Sequence, residues 1–485
     1  MYVVLFALIL ISSCSSVGPK YQTPSTPLPQ TFSYKETGDW SLAKPGDQLP
    51  HGKYWEIFGD PELNALENQI DVSNQNIAVA FAQFLQARAL VKEAQAQYFP
   101  TVSAAPGVSV QNGQSSAIYA GAQPSARNSY ALYSLPIDAS WVPDLWGKIQ
   151  NTVKQNIANA QVSAADLENE RLIEHADLAI DYYQLRAQDS LQGLYDSTVN
   201  EYQKALNLTQ ALHETGIDSD ESVAQAETQL EQALAQATNL KIARAQYEHA
   251  IALLLGKPAT AFSIPVKPLS ISPPVIPLGV PSSLLERRPD IAASERSVAA
   301  ANASIGIAMS AYYPQLTLSG SAGIVGTSLQ QLFSAPAFIW SVGATLSETL
   351  FDGGLRSATV DQYKAYYQQT VAQYRQTVLT AFQQVEDNLA GLRFLEKELK
   401  QQTMSVASAQ RYLRIATDRY RLGLDPYLTV ITAQNSVLVS EQAEITLKMQ
   451  QLTTSMQLIE ALGGGWDRSK LQDLETINKE IPALQ

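Results

Sequence analysis

Two stretches of this chain are long enough, without a proline, to form helices that no compact globular core can contain. They run from Gly147 to Leu212 and from Leu355 to Leu422. At 1.5 Å per residue each helix would be about 100 Å long, whereas the mean helix of a globular protein has about 11 residues. The sequence therefore predicts coiled-coil helices or the walls of an extended assembly.

The apolar pattern after the second stretch supports helices that pack side by side. Ile431, Leu438, Ile445, Leu452 and Ile459 recur every seven residues, which is the spacing of a coiled-coil seam. The positions between them are rich in Gln, Ala, Asn and Ser instead of Glu and Lys. Such a polar but nearly uncharged surface indicates a wall that is wet on one side. An ordinary solvated coiled coil is the alternative.

One structural plan occurs twice along the chain. Gly216 and Gly423 lie in turn signals after the two long stretches, and Gly256 and Gly463 end the helical stretches that follow; both pairs are 207 residues apart. We expect Gly216 and Gly423 to adopt the left-handed conformation that ends many helices. Pro61 and Pro289, each next to an acidic residue, predict the starts of two matching helices. The sequence predicts a two-fold internal repeat.

The repeat and the composition of its flanks divide the chain into six parts. These are a signal peptide (1–13), a lipidated extended arm (14–53), the first repeat (54–258), a proline-rich connector (259–281), the second repeat (282–465) and a C-terminal tail (466–485).

Four segments between the helices have the alternating pattern of β-strands. They are residues 101–110, 130–141, 315–325 and 338–347. In the last segment Phe338, Trp340, Val342 and Leu346 share one face. About ten alternating residues with aromatic side chains near the ends are typical of transmembrane β-strands. A small soluble β-sandwich between the helices is the alternative.

Four strands are too few to close a barrel in a membrane. An open edge in lipid leaves backbone groups without partners, and the smallest single-chain barrels have about eight strands. Several copies must therefore share one barrel, and three copies supply twelve strands, which is wide enough for a channel.

Composition excludes several classes of function. With 33 Lys and Arg against 46 Asp and Glu the net charge is −13, which argues against a nucleic-acid partner. One Cys and four scattered His disfavour disulfide scaffolds and zinc sites. The chain also lacks phosphate-binding and nucleophile-elbow motifs. We expect no enzyme activity, no cofactor and no metal site.

The start of the chain resembles a secreted lipoprotein. Val3 to Ile11 is an apolar run of about nine residues, too short to span a bilayer as a helix. The following Ser12-Ser13-Cys14 completes a segment that resembles a bacterial lipobox, so we predict removal of residues 1–13 and lipidation of Cys14. Ser15 instead of Asp favours delivery to the outer membrane. An ordinary thiol at Cys14 is the alternative.

Several motifs, taken in order, resemble the TolC-like outer-membrane factors, and most closely the NodT-type efflux lipoproteins. The motifs are Cys14, Tyr54 to Leu63 (YWEIFGDPEL), Ser140 to Gly147 (SWVPDLWG), Glu286 to Ile291 (ERRPDI), Tyr313-Pro314, Leu350 to Gly354 (LFDGG) and Arg419 to Gly423 (RYRLG). The resemblance implies an α+β membrane protein: a homotrimer with a 12-stranded transmembrane β-barrel, four strands per chain, continued by a long periplasmic α-helical coiled-coil barrel. It also implies an equatorial region built from the arm, the connector and the tail.

The same resemblance implies function, partners and location. Such proteins are passive exit ducts in the bacterial outer membrane that work with a periplasmic adaptor and an inner-membrane transporter. The two turns would lie farthest from the barrel, where the adaptor docks. The docking residues implied are Gly216, Asp218, Gly423, Leu424 and Asp425.

The entrance of this chain departs from the family pattern. Family members often carry Asp on the helix after the second turn, and Thr429 and Thr432 stand at those positions here. We take these two residues as the candidate entrance constriction. Asp425 before Pro426 also fits an ordinary helix N-cap, and Asp218 with Glu221 fits a capping box.

Two other classes of protein compete with the duct. A lipid-anchored coiled-coil scaffold or adhesin would conduct nothing, so channel conductance separates it from a duct. An envelope hydrolase is disfavoured because catalytic constellations are missing.

Overall fold

The structure is a computed structural model that describes residues 16–26, 53–112, 129–274, 276, 287–332 and 337–466. The predicted signal peptide, the lipidation site Cys14 and almost all of the predicted C-terminal tail lie outside the described residues.

Helices make up most of the described chain. They are α1 (Pro61–Ser73), α2 (Gln75–Ala96), α3 (Lys148–Glu214), α4 (Asp220–Leu254), α5 (Pro289–Ser310), α6 (Leu329–Leu332), α7 (Leu355–Arg421) and α8 (Tyr427–Ala461), with short 3-10 helices at Tyr54–Phe58 and Ala259–Ala261. The strands are β1 (Thr101–Ala104), β2 (Gly107–Asn112), β3 (Ser129–Trp141), β4 (Gln315–Gly326) and β5 (Phe338–Ser347).

The prediction of two very long helices is confirmed. Helices α3 and α7 have 67 residues each, which makes each about 100 Å long. Each starts directly after a left-handed glycine, Gly147 or Gly354. Helices α4 and α8, which follow the two turns, have 35 residues each.

The predicted pairing of helix starts is wrong. Helix α5, which starts at Pro289, has 22 residues and leads into β4; the helix of the first half that has 22 residues and leads into β1 is α2. The helix that starts at Pro61 is an additional one of 13 residues. It ends because Asn74 adopts an extended backbone and its side chain accepts hydrogen bonds from the N–H groups of Asn76 and Ile77, which starts α2.

The strands form one antiparallel sheet in the order β1/β2, β3, β4, β5. The single strand predicted at 101–110 is two strands, because Ala105 and Pro106 separate β1 from β2. Both pieces pair with β3. Proline has no N–H to donate to the ladder, so the break falls where the sequence places Pro106. Among the described residues no further strand pairs with β1/β2 or with β5, so these form the two edges of the sheet.

The long helices pack side by side as a wall. Helix α4 packs on α3, α3 also contacts α8, and α8 packs on α7, so α4 and α7 form the two edges of the wall. Helix α5 packs along the first part of α3, where Gln155 bonds to Ser304. Helix α1 and the connector pack against the middle of α3, where Tyr182 and Tyr183 are fully buried. Of the helices that the structure describes, none is both long and apolar enough to cross a membrane.

Ionic contacts attach the described part of the connector to the wall. The Arg244 guanidinium on α4 binds Asp189 on α3 at 2.7 Å and donates to the carbonyl of Ile264 at 2.7 Å. Asp189 also accepts the backbone N–H of Lys267 at 3.0 Å. These bonds hold the connector by its backbone, and its Ile264 and Ile276 side chains are buried in the core, so a proline-rich segment without helical period lies fixed against the helices.

Candidate functional site: the helical tips and the two-faced sheet

The two turns that follow the long helices have the same hydrogen-bonded geometry. Gly216 has φ +75° and Gly423 has φ +71°, which confirms the predicted left-handed conformation. At the first turn the N–H of Ile217 donates to the carbonyl of Leu212 at 2.9 Å, and at the second the N–H of Leu424 donates to that of Arg419 at 3.0 Å. These are the bonds of the Schellman helix end.

This geometry predicts the effect of a side chain at Gly423. Gly423→Val should destabilise the tip by about 1–2 kcal/mol, because a β-branched residue disfavours positive φ. The effect would be conformational, since no described atom lies within 4 Å of a Cβ built there. Thermal unfolding of the purified protein would measure it. Gly193→Val is the matched control, because Gly193 lies inside α3 in equally open space; equal stability losses in the two variants would contradict the strain argument.

Side chains join the two tips to each other. The Tyr420 hydroxyl at the end of α7 donates to Oδ2 of Asp218 in the first turn at 2.5 Å, and its ring packs 5.3 Å from that of Tyr427. Tyr202 and Leu230 of the first hairpin belong to the same buried cluster. One end of the wall therefore brings together both turns, although they are about 200 residues apart in the chain.

A salt bridge also joins the two ends of the second turn. The Arg419 guanidinium binds both carboxylate oxygens of Asp425, at 2.6 and 2.9 Å. Asp425 is thus a salt-bridge partner, and the N-cap interpretation of it is wrong, because Pro426 occupies the N-cap position of α8. Since a fork-shaped pair fixes geometry, this contact holds the backbone that leads from Gly423 into α8.

The capping-box interpretation of Asp218 and Glu221 is wrong as well. Ser219 is the N-cap of α4, and its hydroxyl accepts the N–H of Ser222 at 3.3 Å. Asp218 instead accepts the Tyr420 hydroxyl and the N–H of Ser219. A local sequence pattern could not show that Ser219, and not Asp218, caps the helix. The partner of Asp218 is Tyr420, which comes from the other half of the chain.

Both tip carboxylates are held in the ionised form. The hydrogen bonds from Arg419 lower the pKa of Asp425. Partial burial opposes ionisation of Asp218, but hydrogen bonds from Tyr420, Ser222 and the Ser219 backbone outweigh it and lower its pKa. Burial and the hydrogen bond to Asp218 raise the pKa of Tyr420. At neutral pH the link between the tips is therefore a protonated phenol on a carboxylate.

Large apolar side chains are exposed around these polar links. Ile217, Leu422, Leu424 and Leu428 are each more than half exposed, and we call these four residues the tip patch. Of these four residues, only Leu424 is among the docking residues predicted from the sequence. The signal for Ile217 and Leu422 was available, because each flanks a turn glycine beyond the end of a helix, whereas Leu428 lies inside α8 and gives no such signal.

The two candidate constriction residues lie on the first two turns of α8. Thr429 is half-buried and Thr432 is exposed. The Thr432 hydroxyl donates to the carbonyl of Leu428 at 2.9 Å, so it is satisfied within the helix. The described residues contain no group of three or more His, Cys, Asp or Glu placed to hold a metal ion.

The sheet at the other end of the helices has one apolar and one polar face. Pairing places these residues on the first face: Val102, Val108, Leu135, Ile137, Trp141, Leu318, Ile324, Phe338, Trp340, Val342 and Leu346. The opposite face is mostly Ser, Thr and Gly, with Asp138, and its larger apolar exceptions are Leu132, Pro136, Val325 and Ile339. Phe338, Trp340, Val342 and Leu346 are all more than half exposed. The predicted face assignment of β5 is therefore confirmed, and it extends across the whole sheet.

Comparison with known families agrees with this geometry. Residues 66–257 and 280–464 match the family described as outer membrane efflux protein. The chain belongs to this family. Its two matched segments contain the two long helices and the two tip turns.

Individual relatives are similar over nearly their whole length. The chain is 31% identical to the probable efflux pump outer membrane protein TtgC and to the antibiotic efflux pump outer membrane protein ArpC, both of Pseudomonas putida, with 98% of this chain and 97% of each relative covered. Among solved structures, the outer-membrane channel OprN is 27% identical with a TM-score of 0.85, covering 93% of this chain and 100% of that one. This efflux family member thus has the fold of an outer-membrane channel.

Proposed function

We propose that the chain is the outer-membrane exit duct of a tripartite efflux or secretion system, a passive conduit from the periplasm to the outside. The observation that carries the proposal is the sheet with one apolar and one polar face, continued by helices about 100 Å long. An apolar face suits lipid and a polar face suits a water-filled lumen. A scaffold or adhesin without a channel has no use for the polar face.

The edges of the molecule support a homotrimer. The sheet has free edges at β1/β2 and β5, and the wall has edges at α4 and α7. Exposed apolar residues lie on both edge helices; on α4 they are Leu234, Ile242 and Leu253, and on α7 they include Leu379, Phe394 and Ile415. Different edges that meet head to tail generate a ring. Three copies, with β1 and β2 counted as one interrupted strand, give a 12-stranded barrel and a helical barrel below it.

In this trimer the tips would contact the partner proteins of the efflux system. The tip patch, with Gly216, Asp218, Gly423, Leu424 and Asp425 around it, is our candidate docking surface for a periplasmic adaptor, which would connect the duct to an inner-membrane transporter. Thr429 and Thr432 are the candidate entrance constriction. The bond from Tyr420 to Asp218 holds the two hairpins of one chain together, which suits a closed entrance. This function needs no catalytic residue and no cofactor.

The anchor and the division of the chain complete the proposal. Residues 1–13 would be the signal peptide, and Cys14 would carry the lipid that joins the chain to the outer membrane. The six-part division, from the lipidated arm (14–53) to the tail (466–485), stands as a proposal with it. Mass spectrometry of protein purified from outer membranes should find an acylated Cys14 at the N-terminus. An uncleaved N-terminus with a free thiol at Cys14 would contradict the anchor.

Conductance tests the duct itself. In a planar bilayer the purified protein should form channels, and Tyr420→Phe should raise the conductance or the open time, because it removes the hydroxyl that bridges the hairpins at Asp218. Tyr195→Phe is the matched control, since the Tyr195 hydroxyl bonds to Gln442 in the middle of the wall. A correctly assembled protein that conducts no ions would favour the scaffold.

A further inference from the structure

A groove of about 380 Å³ crosses the lower part of the sheet on its apolar face. Ala139 on β3 and Gly320 on β4 form its floor, and the larger side chains of Trp141, Leu318 and Val342 rise beside it. Its volume lies in the range of ligand sites in proteins. All of the described residues that line it are uncharged. The groove therefore suits a hydrocarbon chain and offers nothing to a charged headgroup.

The N-terminal arm is fixed below this groove. The N–H of Val17 donates to the carbonyl of Trp146 at 3.0 Å, and the Asn151 amide donates to the carbonyl of Val17 at 2.8 Å. The Ser16 hydroxyl bonds to the Asn151 side chain at 3.2 Å. A Cβ at Gly147 would lie 2.6 Å from the Ser16 hydroxyl, so the path of the arm depends on that glycine. The arm thus has one defined position where the described chain begins.

Further along, the arm is attached to α5 and α7. Asn302 donates to the carbonyl of Pro19 at 2.9 Å, the Tyr21 hydroxyl donates to Glu295, and Arg375 donates to the carbonyl of Ser25 at 3.2 Å. Contacts spread over this length hold the arm in register. Ser16 and Val17 therefore have a fixed position relative to α3.

Trp146, whose carbonyl accepts the N–H of Val17, connects the start of the described arm to the base of β4. The Trp146 indole donates to the carbonyl of Pro314 at 2.7 Å, and its ring stacks on Tyr313 at 4.9 Å, directly before β4 begins. Leu318 is four residues past Pro314, or about 13 Å along an extended strand. Cys14 precedes Ser16 by two residues, which span at most about 7 Å. An acyl chain on Cys14 would have to cover the rest of the path from Ser16 to Leu318.

We propose that this groove is the binding site of an acyl chain carried by Cys14. The inference rests on the lipidation included in the proposed function and adds a place for the lipid on the protein itself. A single acyl chain anchors a protein only marginally. An acyl chain seated against Trp141, Leu318 and Val342 instead packs on the sheet, and it fixes the depth of the arm relative to the membrane. The position of the arm favours this occupant over a free membrane phospholipid, because the bonds of Ser16 and Val17 to Asn151 and Trp146 hold the residues next to Cys14 close to the base of the sheet.

Photo-crosslinking in intact outer membranes tests the site. Cells are grown with a diazirine fatty acid, the membranes are irradiated, and the protein is digested for mass spectrometry. The mass of the Cys14 peptide first reports whether it is acylated. We then expect a covalent link between the Cys14 lipopeptide and the strand peptides that contain Leu318 or Val342.

A pair of variants makes the result specific. Gly320→Leu should abolish the link, because the new side chain fills the floor of the groove. The substitution is tolerated by the backbone, since the nearest described atom to a Cβ there is the Ser341 carbonyl oxygen at 4.0 Å. Ala322→Leu, one step further along the same face of β4, is the matched control and should keep the link.

The outcomes separate this inference from the proposed function. A Cys14 peptide without an acyl group overturns the anchor of the proposed function and the inference with it. An acylated Cys14 with no link to either strand peptide overturns the inference alone. Two further results overturn it alone: strand peptides that carry labelled phospholipid in place of the Cys14 peptide, and a link that persists in Gly320→Leu.

Discussion

Val342→Arg should prevent stable insertion of the protein into the outer membrane. Val342 lies near the middle of β5 on the apolar face, opposite Gly320 of β4, and 80% of it is exposed in the single chain. A cationic side chain that faces the bilayer midplane of a β-barrel costs about 2–4 kcal/mol. Each copy in a trimer would bear this cost. The protein recovered from purified outer membranes in assembled form should therefore fall to a small fraction of wild type.

The opposite face of the same strand provides the control. Ser341 neighbours Val342, pairs with Ser321 and belongs to the polar face. Ser341→Arg introduces the same charge where the proposed lumen contains water, so assembly should be close to wild type. If the two variants assembled equally well, the assignment of the apolar face to lipid would be wrong.

The elements that the sequence predicted best depend on local properties of the chain. Helices α3 and α7 end within two residues of the positions expected from the lack of proline and from Gly216 and Gly423. A turn glycine acts through its own φ, and its effect is visible without knowledge of the fold. The β-strand faces were predictable for the same reason, because alternation along a strand has a period of two.

The elements that the sequence did not predict depend on contacts between distant segments. Asp218 binds Tyr420 from the other half of the chain, and no local pattern contains that information. Asp425 had two local interpretations, and the position of Arg419 across the turn decides between them. The position of the N-terminal arm is a similar case. Its prolines predict an extended segment, but its hydrogen bonds to Asn151 and Asn302 require the packed helices.

The start of the first half shows a different limit of prediction from the sequence. Pro61 and Pro289 carry equally good helix-start signals, yet only α5 has the length and position that match α2. The decisive residue is Asn74, whose side chain caps α2 and whose extended backbone separates it from α1. Asn is common in loops and caps alike, so its presence alone does not place a helix boundary.

Leu424→Glu should abolish export while the trimer still assembles in the outer membrane. Leu424 is 61% exposed beside Gly423 and belongs to the tip patch, so its replacement disturbs no packed core. If the patch binds the adaptor, a charge buried at the contact costs about 2 kcal/mol or more, roughly a 30-fold loss of affinity. Accumulation of a transported dye in cells that contain the adaptor and transporter measures export, and a semi-denaturing gel measures assembly.

Gln210→Glu is the matched control. Gln210 is exposed in the last turns of α3, so the variant adds the same charge near the tip without removing an apolar group, and it should export normally. Normal export by an assembled Leu424→Glu trimer would contradict docking at this turn, and the exposure of Ile217, Leu422 and Leu428 would then need another partner.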